Sequence, residues 1–130
     1  MMSEKEIIYG VIVSKTNHYY ADVDVCGQCR IFVDDAWLRY KSKFLEQVTI
    51  YKNRNIFNPF ILYVDVYFIR EVFDLDNAVK SLCDLLQDCH AIVNDSQCLE
   101  IHARKFVDKI TPRVEFSIVE KCDYVMHSMG

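Results

Sequence analysis

Acidic residues cluster where a predicted strand meets a predicted helix. Asp76, Lys80 and Asp84 repeat every four residues and would therefore share one helix face, while Asp74 comes two residues before the first of them. Carboxylate oxygens are the ligands that Mg²⁺ accepts while it keeps several waters. Asp74 and Asp76 could therefore converge on one hard cation.

A third acid follows the predicted helix. Asp95 lies in the polar turn 94–96, and a chain returning from the helix could lay this turn beside the strand end that carries Asp74. Each feature also has an ordinary structural interpretation: a helix cap for Asp74, a surface ion pair for Asp76 with Lys80, and a simple turn for 94–96. The pattern alone leaves both interpretations open.

The neighbouring sequence predicts the elements that would position these residues. Residues 60–70 are nearly continuously apolar and rich in β-branched and aromatic side chains, which predicts a central strand covered on both faces. Asp76 or Asn77 would cap the helix that follows, which runs through Leu86. Apolar residues at helical spacing predict another helix from Asp35 to about Val48, which ends before a break at 53–59.

Alternating patterns predict the remaining strands. We expect strands at 7–13, 98–106 and 114–119, with the last two forming a hairpin. A loop at 16–18 could belong to a second hairpin, which would reach towards 31–33. The sequence shows no internal repeat and no linker. The expected fold class is therefore α/β, with a mixed β-sheet and two principal helices in one domain spanning 1–130.

Composition agrees with one globular domain. The chain has 130 residues, of which 52% are hydrophobic and 26% charged. Its N-terminus lacks the basic region of a secretory signal, and no apolar run approaches the roughly 18 to 20 residues of a membrane span. We expect a soluble, cytoplasmic protein that does not associate with a membrane.

The cysteines raise a separate possibility. With no secretory signal, the six cysteines are expected to be reduced. Cys26 and Cys29 have the C-x-x-C spacing of a metal or redox motif, but no second pair follows at a zinc-finger interval. A zinc or redox protein is therefore an alternative interpretation, which metal analysis and thiol titration would distinguish.

The net charge of −4 argues against a protein that binds nucleic acid through an overall positive field. Basic residues are nevertheless concentrated locally, within 39–54 and within 104–113, on either side of an acidic middle section. A DNA-binding chain of this composition would contact phosphates through those two sets. The candidates are Arg39, Lys41, Lys43, Arg104 and Lys105.

The acidic segment resembles the signature of the RusA-type Holliday junction resolvases, D-x-D-N-x-x-K-x-x-x-D followed by a D-x-Q turn. The matching residues are Asp74, Asp76, Asn77, Lys80 and Asp84, then Asp95-Ser96-Gln97. Segments 14–20 and 113–116 show a weaker likeness to the family. Position 94 is Asn where the family commonly has a second acid, so we expect altered metal affinity rather than lost chemistry.

The resemblance implies a RusA-like fold and a divalent-metal-dependent endodeoxyribonuclease that acts on Holliday junctions or related branched DNA in recombination and repair. It implies that Asp74, Asp76 and Asp95 bind Mg²⁺, with Mn²⁺ as a possible substitute, and that Lys80 assists near the scissile phosphate. It also implies a homodimer, and a DNA contact at Asn17. The main alternative is a catalytically inactive protein of the same fold that binds branched DNA.

Overall fold

The structure is a computed structural model, and it describes residues 4–14, 19–23, 29–33 and 35–121, with the backbone alone for 19–23 and 29–33. The strands are β1 (Glu6–Tyr9), β2 (Tyr19–Val23), β3 (Cys29–Val33), β4 (Phe60–Phe68), β5 (Cys98–Val107) and β6 (Arg113–Glu120). The helices are α1 (Asp35–Gln47) and α2 (Leu75–Asp88), and a short 3₁₀ turn spans Asp95–Gln97.

The main sheet has four strands in the order β1-β6-β4-β5. β4 is parallel to β5 and antiparallel to β6, and β1 is antiparallel to β6. β2 and β3 form a separate antiparallel pair. The mixed sheet and the two principal helices confirm the predicted fold class.

The predicted hairpin of the last two strands is wrong, because β4 lies between β5 and β6. Val64 of β4 is in register with Ala103 on one side and with Phe116 on the other. The connection after β5 turns back past the end of β4, where the Asp108 N–H donates to the Phe68 carbonyl oxygen at 2.8 Å. The strongly apolar β4 therefore lies inside the sheet, with β5 on one side and β6 on the other.

Both helices pack on one face of the main sheet. The alternate β4 residues Leu62, Val64 and Val66 lie in the core with the buried residues of α1 and α2, whereas Tyr63 is 44% exposed on the opposite face. The expectation that β4 is covered on both faces is therefore wrong. The sequence of β4 does not show which residues alternate between the two faces. Aromatic side chains occupy the face without helices, so the whole strand is almost continuously apolar.

The apolar stripes of the helices form the core as their spacing predicts. Leu82 and Leu86 of α2 are fully buried, and Phe44 of α1 stacks on Phe116 of β6 with ring centroids 6.3 Å apart. Burial of each such side chain contributes about 1.5–3 kcal/mol before the cost of chain entropy. This packing orients the remaining face of α2 towards solvent.

The N-terminal strand is shorter than predicted. β1 ends at Tyr9 because Gly10 adopts a φ of +120°, which other residues rarely tolerate, and its N–H donates to the Pro112 carbonyl oxygen at 2.9 Å. The buried Glu6 carboxylate accepts hydrogen bonds from the backbone N–H groups of Ile50 and Tyr51 at 2.8 and 3.2 Å. These bonds join β1 to the chain that follows α1.

Within the described residues, no helix combines the length and the apolar character needed to cross a membrane.

Candidate active site

Asp74 caps the start of α2. Its Oδ1 atom accepts a hydrogen bond from the Asp76 N–H at 3.0 Å, and its Oδ2 atom accepts one from the Asn77 side-chain amide at 3.3 Å. The predicted caps, Asp76 and Asn77, are instead first-turn residues, because the helix begins at Leu75. An N-cap carboxylate satisfies a backbone donor that has no partner inside the helix.

An open cavity of ≈ 470 Å³ lies between α2 and the edge strand β5. Its lining combines carboxylates, one ammonium group, two thiols and apolar side chains. The lining residues are Asp76, Val79, Lys80, Cys83, Asp84, Asp95, Cys98 and Ile101. The structure thus brings the acidic face of α2 and the acid of the following turn to one place.

Two local hydrogen bonds hold the 3₁₀ turn in the position that brings Asp95 to this cavity. Asn94 caps the turn, since its Oδ1 atom accepts from the Ser96 N–H at 2.9 Å. The Asp95 N–H donates to Gln87 Oε1 of α2 at 3.2 Å. Gln87 was not among the predicted site residues, and nothing in its sequence context distinguishes it from an ordinary exposed helix residue.

Asp76 and Lys80 form an ion pair on the cavity wall, with Asp76 Oδ2 3.3 Å from Lys80 Nζ. The two side chains are 74% and 65% exposed. Exposed pairs one helical turn apart add only about 0.3–0.5 kcal/mol to stability. Both charged groups therefore remain accessible to a ligand at little energetic cost.

Asp74 lies at the edge of a different, smaller cavity of ≈ 40 Å³. Ser14 and Asn77 line the same cavity, so that the end of the described N-terminal segment meets the start of α2. Asp74 thus lines this smaller cavity and not the one that Asp76 and Asp95 line, although its carboxylate is bonded to the Asp76 N–H. The structure also places Ser14, the first residue of segment 14–20, beside this helix start.

The donor chemistry of the larger cavity suits a hard cation. In residues 4–14 and 35–121, no three His, Cys, Asp or Glu side chains are close enough together to enclose a metal ion. Mg²⁺ does not need such a cage, because it keeps several waters and uses one or two carboxylates together with substrate phosphates. Asp76, Asp84 and Asp95 supply donors of this kind.

The thiols of the cavity resist the loss of their protons. Burial, with smaller contributions from the nearby Cys98 and Asp95, raises the pKa of Cys83 to about 12. Burial also raises the pKa of Cys98 above its usual value. A hard cation prefers the carboxylate oxygens of this cavity to its protonated thiols. Cys83, Cys89 and Cys98 are free cysteines.

The predicted DNA contacts of α1 fall into two groups. Lys41 pairs with Asp88 of α2, with the charged atoms 3.2 Å apart. Arg39 and Lys43 are exposed and line a cavity of ≈ 220 Å³ together with Gly10. Arg39 and Lys43 therefore present positive charge to solvent, whereas the charge of Lys41 is compensated within the chain.

The two basic residues of β5 lie on opposite faces of the sheet. Arg104 forms a bidentate pair with Asp65 at 2.8 Å on the face away from the helices. Lys105 donates to the Glu71 carbonyl oxygen in the turn between β4 and α2, and its ammonium lies 5.7 Å from the centre of the Phe68 ring. Lys105 is therefore near the start of α2, and Arg104 is not.

Two predicted features lie outside the described residues. Asn17 belongs to the undescribed segment 15–18, and Cys26 to segment 24–28. Of the C-x-x-C motif, the structure describes only the backbone of Cys29 in β3. The alternative based on zinc or redox chemistry stays a prediction.

The fold and the cavity define an α/β protein with a carboxylate-rich site suited to a hard divalent cation. The family model described as endodeoxyribonuclease RusA matches residues 10–119 of the 130-residue chain. The chain belongs to this family, which confirms the resemblance found in the sequence. The match includes Ser14, both helices and the turn that carries Asp95. No curated protein matches the chain.

Proposed function

We propose that this chain is a divalent-metal-dependent endodeoxyribonuclease that resolves four-way or related branched DNA during recombination and repair in the cytoplasm. The observation that supports this proposal is the convergence of Asp76, Lys80 and Asp95 on one cavity. This convergence occurs in a chain that belongs to a family of endodeoxyribonucleases. The family supplies the reaction class, and the cavity supplies the groups that the reaction needs.

Hydrolysis of a phosphodiester joins one water oxygen to phosphorus and breaks the bond from phosphorus to a sugar oxygen, which leaves with a proton. A bound Mg²⁺ or Mn²⁺ lowers the pKa of a water and offsets the charge that develops on phosphate. Asp76 and Asp95 would hold this ion, with Asp84 beside them. Asp74 is a further proposed ligand, from its position at the helix start.

Lys80 would act on the phosphate itself. Its ammonium lies 3.3 Å from Asp76 Oδ2, and the side chain is 65% exposed. It can therefore exchange this partner for a phosphate oxygen without a large loss of packing. A positive charge held at this point stabilises negative charge that increases in the transition state, and such groups commonly contribute about 10²–10³ in rate.

DNA would approach through basic groups near the start of α2 and on α1. Arg39 and Lys43 of α1 line an open cavity. Lys105 donates to the Glu71 carbonyl oxygen in the turn that leads to Asp74, and it could exchange this neutral partner for a phosphate. With a net charge of −4, the protein would depend on these local groups rather than on a general positive field. Asn17 is a further proposed contact, from the family likeness.

A homodimer would suit the proposed substrate. Resolution of a four-way junction needs two symmetrical nicks, and a two-fold dimer presents two identical active sites to the two strands. We therefore include the dimer in the proposal.

The test is strand cleavage of a mobile four-way DNA junction by the purified chain, with Mg²⁺ or Mn²⁺ compared with EDTA. Asp76→Asn is expected to abolish cleavage while junction binding is kept or strengthened, because a negative charge beside the phosphates is removed. Asp88→Asn is the matched control for cleavage, since Asp88 is on the same helix but outside the cavity. Because this change also releases Lys41 from its ion pair, binding is compared with the wild type instead. Linear duplex is the control substrate.

Paired symmetrical nicks that require the metal and the Asp76 carboxylate support the resolvase. Nicks confined to flaps or linear duplex would agree with the proposed metal site but contradict the proposed substrate. Binding without cleavage in every metal would favour the non-catalytic binder of branched DNA.

A further inference from the structure

A side chain of α2 holds the 3₁₀ turn that carries Asp95. The Asp95 N–H donates to Gln87 Oε1 at 3.2 Å. The Ser96 N–H donates to Asn94 Oδ1 at 2.9 Å, and the Gln97 N–H donates to the Asn94 carbonyl oxygen at 3.2 Å. Of these three bonds, the last two close within the turn and its cap, whereas the bond from Asp95 reaches a different element. Gln87 therefore links the turn to α2.

Gln87 lies on the side of α2 that carries charged residues of the larger cavity. It follows Lys80 by seven residues and Asp76 by eleven, which are close to two and three helical turns. Gln87 does not itself line the cavity, whereas Asp76, Asp84 and Asp95 do. An effect of Gln87 on a cation in the cavity would therefore pass through Asp95.

The carboxylates of the cavity are positioned in two different ways. Asp76 and Asp84 belong to a long helix that is anchored in the core by the fully buried Leu82 and Leu86. Asp95 belongs to a turn of three residues, none of which is buried. Exposed segments with few packing contacts open at little cost in free energy. The distance from the Asp95 carboxylate to the carboxylates of α2 therefore depends on hydrogen bonds rather than on packing.

We propose that Gln87 is a positioning residue for the divalent cation. By accepting the Asp95 N–H, its side-chain oxygen holds the Asp95 carboxylate where this group and Asp76 can bind the same ion. The inference rests on the proposed function, from which it takes the metal role of Asp95. A ligand that is ordered before the ion arrives need not be ordered by it, and this strengthens binding. Loss of such a supporting group commonly weakens metal binding about 10–100-fold.

The bond requires an acceptor at position 87, not an amide as such. A glutamate oxygen accepts a backbone N–H as a glutamine oxygen does, whereas leucine has no acceptor. Leucine and glutamine have similar helix propensities, so the substitution leaves α2 itself intact. Gln87→Leu is therefore expected to release the turn, and Gln87→Glu is expected to keep it in place.

The first test is the affinity of the full chain for Mn²⁺ without DNA, measured by electron paramagnetic resonance of the free ion. Gln87→Leu is expected to raise the dissociation constant about tenfold or more, and Gln87→Glu to keep it within about threefold of the wild type. Loss of stability in Gln87→Leu with unchanged Mn²⁺ affinity would overturn the inference, because Gln87 would then have a structural role alone. Equal losses of affinity in both variants would also overturn it.

Gln47→Leu is the matched control. Gln47 of α1 also holds a neighbouring segment, because its Oε1 atom accepts the Tyr9 N–H at 2.8 Å and its Nε2 atom donates to the Tyr9 carbonyl oxygen at 2.9 Å. This pair of bonds joins α1 to β1 and lies outside the cavity. Gln47→Leu is therefore expected to reduce stability and to leave Mn²⁺ affinity unchanged.

A double-mutant cycle tests whether Gln87 acts through Asp95. Asp95→Ala removes the carboxylate and keeps the backbone N–H. If Gln87 serves to hold this carboxylate, Gln87→Leu has no further effect on Mn²⁺ affinity in the Asp95→Ala protein. Additive losses would overturn the inference, because Gln87 would then affect the ion by another route.

Hydrogen exchange at the Asp95 N–H tests the same coupling without a substitution. If the bond to Gln87 and the bound ion favour the same position of the turn, each must stabilise the other. Mg²⁺ is expected to slow exchange of this amide in the wild type on the order of tenfold. Exchange that Mg²⁺ leaves unchanged would overturn the inference. This measurement decides the matter if circular dichroism shows that Gln87→Leu does not fold.

The outcomes are separable from those of the proposed function. Weak Mn²⁺ binding by Gln87→Leu, in a protein whose wild type binds Mn²⁺ but cuts no branched DNA, would retain the inference and refute the nuclease. A Gln87→Leu variant that binds Mn²⁺ and cuts junctions as the wild type does would overturn the inference and retain the nuclease. A wild type that binds no Mn²⁺ would overturn both.

Discussion

Asp76 Oδ2 and Lys80 Nζ lie 3.3 Å apart, one helical turn from each other, on the wall of the cavity that also receives Asp95. The pair places a potential metal ligand and a potential phosphate ligand side by side. An exposed pair at this spacing adds too little stability to account for the arrangement by itself. In the proposed reaction Asp76 would hold the cation, and Lys80 would supply a positive charge to the phosphate.

Lys80→Ala should slow cleavage far more than it weakens junction binding. Loss of one stabilising charge in a transition state commonly costs about 10²–10³ in rate, or roughly 3–4 kcal/mol. Single-turnover cleavage and equilibrium binding of the same junction measure the two effects separately. Lys41→Ala is the control, because Lys41 is paired with Asp88 outside the cavity. Parallel losses of rate and binding would instead make Lys80 a phosphate contact.

Asp74→Ser should separate the two roles proposed for Asp74. Serine caps helices about as well as aspartate, whereas Asp74→Ala would cost about 1 kcal/mol of stability. We expect the serine variant to unfold at nearly the wild-type urea concentration and to lose cleavage with Mg²⁺, because a hydroxyl is a weaker ligand than a carboxylate. Full activity in this variant would show that Asp74 is a cap alone.

Arg39→Ala and Lys43→Ala should weaken junction binding and make it less sensitive to salt. Each removed phosphate contact lowers the slope of log affinity against log salt concentration by about 1. Lys41→Ala should have a smaller effect, since Asp88 compensates its charge. Binding titrations at several salt concentrations provide the measurement. Equal slopes for all three variants would exclude this face of α1 from the DNA surface.

Asp108→Asn should reduce stability at neutral pH but have little effect in acid. The Thr111 N–H and the Arg113 guanidinium lower the pKa of Asp108. Its unfolded pKa is about 3.9, so the carboxylate contributes stability above that value and loses it as pH falls through the lower folded pKa. Urea denaturation at neutral and acidic pH should show the two proteins converging in acid. A constant difference would contradict this assignment.

Local sequence was enough to predict most elements. Apolar residues at helical spacing predicted α1 and α2 within a few residues, since burial of one helix face requires that spacing whatever the partner is. The same spacing placed Asp76, Lys80 and Asp84 on one helix face. The prediction that 60–70 forms a central strand was also right, because β4 carries the most continuous apolar run of the chain.

Strand partners were not predictable in the same way. Alternation in β5 and β6 shows that each strand has two faces, but it does not identify the neighbouring strand, so the expected hairpin was wrong. Register with Phe116 and Ala103 is determined by the apolar packing of Val64 between them. Such long-range pairing depends on the whole core rather than on the adjacent turn.

The sequence by itself therefore determined the helices, the order of chemical groups along α2 and the family of the chain, because these properties depend on neighbours a few residues away. Only the tertiary structure decided that Asp74 caps α2, that Gln87 holds the turn of Asp95, and that one face of the sheet is left open. Each of these depends on hydrogen bonds or packing whose geometry exists only once the chain has folded. The folded chain therefore assembles the site from residues whose types and spacing the sequence already contains.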